Sequence, residues 1–113
     1  MGTVRDVSDT SPGDLAVAFR SFPRRIEQAL AALDDPGTRT GAESHARAAH
    51  EGIASAATLL GVPAGDPAGT AAAVADKIAG VHPDAWDDVT LAGLRRIALA
   101  VGAEVRAVSD LAR

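Results

Sequence analysis

The sequence contains no cysteine, and its 113 residues include only three aromatic side chains, Phe19, Phe22 and Trp86. Without cysteine, disulfides, thiolate metal sites and thiol nucleophiles are all excluded. With so few rings, the core has to be built from small and branched side chains, and alanine is the main one. The apolar area per residue is therefore modest, which favours help from a partner subunit.

Long apolar runs are also missing. No stretch approaches the roughly 18 uninterrupted apolar residues of a membrane-spanning helix, and residues 1–6 lack the basic head and apolar centre of a secretory leader. The net charge of -4 and the single lysine, Lys77, argue against binding to a nucleic-acid backbone, because that binding requires clustered cations. We therefore expect a cytoplasmic protein that binds neither membranes nor nucleic acids.

Start and stop signals of helices recur along the chain. Ser11-Pro12-Gly13-Asp14 is typical of a start, since a capping hydroxyl precedes a proline at the first helical position and a carboxylate at the third. Thr40-Gly41-Ala42-Glu43 has the pattern of a capping box, and Asp66-Pro67 can open a third helix. Gly61 is expected to end the second helix, and Gly80 is expected to end the third in the left-handed conformation.

Apolar residues follow these starts at helical spacing. The first and last segments have the longest stripes, Leu15, Phe19, Phe22, Ile26, Leu30 and Leu33, and, after about Thr90, Leu91, Leu94, Ile97, Val101, Val105, Val108 and Leu111. The second stripe is mostly alanine around Ile53. Pro23 interrupts the first stripe and predicts a kink or two abutting helices.

These signals predict an all-α fold, because no segment shows the alternation of a β-strand. We expect an antiparallel bundle of about four helices, arranged as two helical hairpins packed together. It would form a single domain over residues 11–113, after a flexible N-terminal segment at residues 1–10.

Two histidines, His45 and His50, share the second helix and are candidate metal ligands. Their separation of five residues places them about 140° apart around the helix axis, whereas two ligands on one face need a spacing of three or four. We interpret them as half-buried residues on opposite flanks of the alanine stripe.

An acidic segment precedes the last helix. His82, Asp84, Asp87 and Asp88 have the ligand atoms for a divalent ion, but carboxylates ahead of a helix also stabilise its N-terminus. We favour the capping role, with Asp88 or Thr90 as the cap. The sequence thus assigns no catalytic residue, cofactor or metal, and its metal candidates remain His50, His45, His82, Asp87 and Asp88.

Three stretches resemble parts of the DinB/YfiT-like four-helix proteins: residues 22–26, Phe-Pro-Arg-Arg-Ile; residues 49–52, Ala-His-Glu-Gly; and residues 85–94, from Ala85 to Leu94. Members of that family typically hold a metal with one histidine from the second helix and two from the last. His50 matches the first of these. The last helix has no histidine, with Gly102 and Arg106 where the pair is expected, so the metal-dependent activity that the resemblance implies would be lost.

Two classes of function remain open. The leading hypothesis is a small non-enzymatic helical domain that acts through self-association as a homodimer, or through an unidentified protein partner. The dimer would bury the apolar stripes of the first and last helices, including Val105. The alternative is a small metal-dependent or ligand-binding enzyme of the DinB/YfiT-like type, which would use His50 with His45, His82 or the nearby aspartates.

Overall fold

The computed structural model describes residues 11–113 and is all-α over that range, as the sequence predicts. Its helices are α1 (Pro12–Ala31), α2 (Pro36–Leu60), α3 (Pro67–Gly80) and α4 (Asp88–Leu111), with a 3₁₀ turn at Pro83–Ala85. No strand occurs among these residues. The four-helix bundle is confirmed, whereas the prediction for residues 1–10 lies outside the described part of the chain.

Each α-helix begins at a side-chain cap. The capping oxygen accepts a hydrogen bond from the backbone amide three residues further on, which satisfies one of the free donors of the first turn. The four caps are Ser11 on Asp14, Asp35 on Thr38, Asp66 on Gly69 and Asp87 on Thr90, at 2.8 to 3.1 Å. The predicted starts of α1 and α3 are therefore confirmed.

The predicted start of α2 at Thr40 is wrong. The helix begins at Pro36, because Asp35 caps it and the proline occupies the first helical position. Thr40 lies inside the first two turns, where its hydroxyl donates to the Pro36 carbonyl at 3.0 Å. Asp35-Pro36, which follows the end of α1 at Ala31, is thus the start of the next helix.

The helix ends agree with the predictions in part. Gly61 ends α2, as expected, and adopts the left-handed conformation with φ 71°. Gly80 does not act in this way: it is the last residue of α3, and the extended Val81 follows it as the cap. Pro23 lies inside one continuous α1, so the alternative of two abutting helices is wrong.

The predicted stripes meet inside one chain. Leu15, Phe19 and Ile26 of α1 and Val101 and Val105 of α4 are all at most 1% exposed. The rings of Phe19 and Phe22 pack edge to face with their centroids 5.7 Å apart. The stripes of α1 and α4 therefore form the core, and the expectation that they are left for a dimer partner is wrong.

The closest helix pairs are α1 with α3 and α2 with α4. Each helix thus packs mainly on the helix two positions away in the chain. The consecutive pairs α1–α2 and α3–α4, which the predicted arrangement of two hairpins would bring together, are not the closest pairs. The bundle measures 48 by 40 by 17 Å between Cα atoms, and the short dimension matches two layers of helices at the usual spacing of about 8 to 10 Å. Each helix consequently keeps one face directed outwards.

Glycines bring α2 and α4 together. A Cβ atom at Gly52 of α2 would lie only 2.5 Å from Cγ2 of Val101, and one at Gly93 of α4 would lie 3.0 Å from Cδ2 of Leu59. Because the position on α4 falls as the position on α2 rises, these two helices run antiparallel. The close contact buries one face of α4 and leaves the opposite face uncovered.

Candidate functional site

His45 joins α2 to α4. Its Nδ1 lies 2.7 Å from Oε2 of Glu104, and both side chains are partly buried. A carboxylate in this position orients the ring, and it forms an ion pair when the histidine is protonated. Glu104 was not singled out from the sequence, because nothing in the chain order pairs it with a residue on a helix so far away.

His50 lies on the other flank of α2. Burial lowers the pKa of its ring from the ordinary value of 6.5, and the nearby Glu27 carboxylate of α1 opposes that shift. The two histidines thus interact with different helices, His45 with α4 and His50 with α1. This agrees with the divergence of about 140° that their spacing predicts.

The acidic segment caps α4, which is the role that the sequence favoured. Asp87 accepts hydrogen bonds from the backbone amide and the hydroxyl of Thr90, and these bonds lower the pKa of its carboxyl. The cap of α4 is therefore Asp87, in place of Asp88 or Thr90, and Asp88 lies in the first turn. His82 accepts a bond at Nδ1 from the Asp84 amide, 3.2 Å away.

The same segment contains Trp86, whose ring packs against the core. Its Nε1 is buried and has no hydrogen-bond partner within the described part of the chain. A buried donor left in this state costs about 1 to 3 kcal/mol.

The metal candidates do not come together. Within residues 11–113, no group of three or more histidine, aspartate or glutamate side chains is placed to hold an ion. His45 contacts Glu104, His50 is half-buried beside α1, and His82 and Asp87 bond to backbone amides of their own segment.

The outward side of α4 carries the most exposed large apolar side chain of the described residues, Val89 at 78%, and also Leu99 at 60%. We call this surface the outer α4 face. Most of its exposed residues follow one another at helical spacings of three and four, and Leu99 and Ala100 are adjacent. They are Val89, Ala92, Arg96, Leu99, Ala100, Ala103, Arg106 and Asp110.

Sequence reasoning missed this surface because α4 has a stronger apolar stripe on its other side. The available signal was the second series on the same helix, in which Val89, Leu99 and three alanines alternate with charged residues. The other large apolar side chains that are exposed are Val17 on α1, Leu59 of α2, which adjoins Gly93 of α4, and Leu111 in the last turn of α4.

Comparison of the chain with protein-family models, curated proteins and solved structures finds no significant match. None of the described helices combines the length and the apolar composition needed to cross a bilayer. We therefore infer function from the surface of the bundle.

Proposed function

We propose that this chain is a helical domain that acts by associating with a second copy of itself through the outer α4 face. The observation that supports this proposal is the exposure of Leu99 in the middle of that face, with the exposed Ala100 and Ala103 beside it. Removing apolar surface from water is favourable by about 25 cal/mol per Å². A helix that covers Leu99 and its neighbouring alanines would gain this energy.

The outer α4 face suits a helix partner better than the outward face of α1. On α1, Val17 adjoins Arg20, Ser21 and Arg24, so its surroundings are polar. On α4, Arg96 also lies beside Leu99, but the exposed Ala100 and Ala103 follow it. Such small side chains let the backbones of two helices approach closely. This difference favours α4 as the contact.

A second copy is the partner that this surface favours. A two-fold axis places the same patch on both sides of an interface, so one exposed face covers itself without any further surface. One helix pair per dimer is a small contact, and such interfaces are weak or transient. We therefore expect dimerisation in the micromolar range.

Sedimentation velocity over a dilution series tests the proposal. The wild-type chain should change from dimer to monomer as it is diluted through micromolar concentrations. Leu99→Asp should remain monomeric throughout, because the substitution places a carboxylate in the apolar contact. Val17→Asp is the matched control, as it puts the same charge on an equally exposed apolar position of α1, and it should dimerise like the wild type.

Two results would contradict the proposal. A mass that corresponds to a monomer at every concentration would exclude self-association. Equal loss of the dimer in Leu99→Asp and Val17→Asp would show that the contact does not lie on α4. Circular dichroism of both variants verifies that the helices persist, since each substitution is on the surface.

A further inference from the structure

The charges of the outer α4 face bear on how two copies would meet. Arg96 and Asp110 are both exposed, carry opposite charge and lie at equal distances along the chain on either side of Ala103. Resting on the proposed function, we infer that two α4 helices pack antiparallel about a two-fold axis at Ala103. Arg96 of each copy then faces Asp110 of the other.

Two ion pairs form in this register, one at each end of the contact. In an antiparallel pair, residues at equal distances from the axis lie opposite each other, so the match at one end is repeated at the other. Charge complementarity of this kind contributes mainly to specificity and register. Between the pairs lie Leu99, Ala100 and Ala103, the small and apolar part of the face.

Other antiparallel registers bring like charges together. An axis at Leu99 sets Asp88 against Asp110 of the second copy, and an axis at position 101 sets Arg96 against Arg106. An axis between Arg96 and Leu99 crowds the two Arg96 side chains. In the register at Ala103, no like charges lie directly opposite each other. Arg106 faces Ala100, and the two Arg106 side chains are roughly 9 Å apart along the helices.

Asp110 is available for such a pair. Its contact within the chain is with Arg113, at 4.0 Å between Nε and Oδ1, and both side chains are well exposed. An exposed pair at this distance contributes little to stability. The carboxylate can therefore turn to Arg96 of the second copy at little cost.

The absence of native cysteine provides a direct test, because an introduced cysteine is then the only thiol. Under mild oxidation, Ala103→Cys should form a disulfide-linked dimer, since the two copies of position 103 adjoin the axis and can reach disulfide distance. Ala92→Cys, exposed on the same face, should not. Its two copies would be separated by roughly 33 Å along the helices.

Charge exchange tests the same register without a covalent bond. Arg96→Asp and Asp110→Arg should each weaken the dimer about tenfold, because each converts two attractive pairs into two repulsive ones. The double variant should restore wild-type association, since opposite charges face each other again. Val89→Asp lies beyond the contact in this register and should associate like the wild type.

The outcomes separate this inference from the proposed function. A dimer in sedimentation with a crosslink at position 103 alone supports both. Crosslinks at both 92 and 103 would indicate parallel helices and overturn the inference, and so would a dimer that crosslinks at neither position. Both would be overturned if sedimentation showed no dimer and if Ala103→Cys formed no more crosslinked dimer than Ala92→Cys does. A double charge variant no stronger than the single variants would also contradict the register.

Discussion

At the scale of single residues, His50 makes the stability of the fold depend on pH. Burial lowers the pKa of its ring, so the folded state holds a proton on this group less readily than the unfolded chain does. In the folded state, the ring is therefore favoured in its neutral form. Stability that depends on it is fully present above pH 6.5, where the ring is neutral in both states.

We accordingly expect the free energy of unfolding to fall as the pH decreases below 6.5, until the lowered pKa of the folded state is passed. His50→Gln should show a flatter profile between pH 7 and 5, because glutamine does not titrate. Urea unfolding at a series of pH values measures both profiles. Parallel profiles for the two proteins would show that His50 does not contribute.

Gly52 is the second residue whose contribution to stability can be tested. An alanine here would place its Cβ 2.5 Å from the Val101 side chain, which is buried and branched. Overpacking of this kind costs about 1 to 3 kcal/mol, and it outweighs the gain of roughly 1 kcal/mol from better helix propensity. We expect Gly52→Ala to lower the free energy of unfolding by about 1 kcal/mol.

The matched control is Gly41→Ala on the same helix. Nothing lies within 4 Å of its added Cβ, so only helix propensity changes and stability should rise by roughly 0.5 to 1 kcal/mol. Urea unfolding compares the two variants. If both substitutions stabilise the protein, α2 and α4 do not approach each other at Gly52 as closely as the structure indicates.

At the scale of elements, the beginning of α2 is the clearest case. The carboxylate of Asp35 accepts bonds from the backbone amide and the hydroxyl of Thr38, which lower its pKa. We expect Asp35→Ala to lower the melting temperature clearly, because the first turn loses its cap. Thr40→Ala should have a smaller effect, since that hydroxyl only bonds to the Pro36 carbonyl.

Thermal unfolding followed by circular dichroism measures the two variants side by side. A larger loss from Thr40→Ala would mean that α2 starts at the capping box predicted from the sequence. Comparable losses from both variants would indicate that the first turn of α2 exchanges between the two starts.

The sequence predicted the helices themselves better than it predicted which helices pack against each other. Caps and apolar spacing are local, so the starts of α1 and α3 and the stop at Gly61 could be predicted within a few residues. At α2, two acceptable caps compete, and local pattern does not rank them. The choice of α4 as the partner of α2 depends on contacts such as Gly52 with Val101 and His45 with Glu104, which become visible only when both helices are in place.

The candidate site could be predicted only in part, for a related reason. The divergence of His45 and His50 follows from helix geometry alone. The outer α4 face does not, because a helix with two apolar series gives no indication of which one enters the core. The larger side chains of the inner series, among them Leu94 and Val101, were buried in the bundle, and the series with Leu99 was left outside.

At the scale of the whole molecule, a charge in the inner series of α4 and a charge in the outer series should have different effects: the first should prevent folding, and the second should prevent only dimerisation. Val105 is fully buried inside one chain, so Val105→Asp should abolish cooperative folding, since burying an unpaired carboxylate costs several kcal/mol. It should not yield a folded monomer. Leu99→Asp should yield one, because position 99 lies on the surface. Circular dichroism and sedimentation distinguish the two results.

Ile53 offers a graded test of the same core. Its side chain is fully buried in α2, and Ile53→Ala should lower the free energy of unfolding by about 2 to 4 kcal/mol through lost burial and the cavity that remains. Chemical unfolding measures the change. A loss below about half a kcal/mol would mean that the surrounding helices collapse into the space.

The alanine-built face of α2 has a consequence for how the sequence can evolve. Apart from Ile53, the buried residues of this helix are all alanine: Ala42, Ala46, Ala49, Ala56 and Ala57. Alanine can shrink only to glycine, which weakens a helix, and any larger residue would push against a closely packed neighbour. Substitutions at these positions, whether to smaller or to larger residues, should therefore rarely be tolerated. In a saturation-mutagenesis library selected for folding, serine and glycine should be the main survivors there, while the outer side of the same helix accepts a broad range.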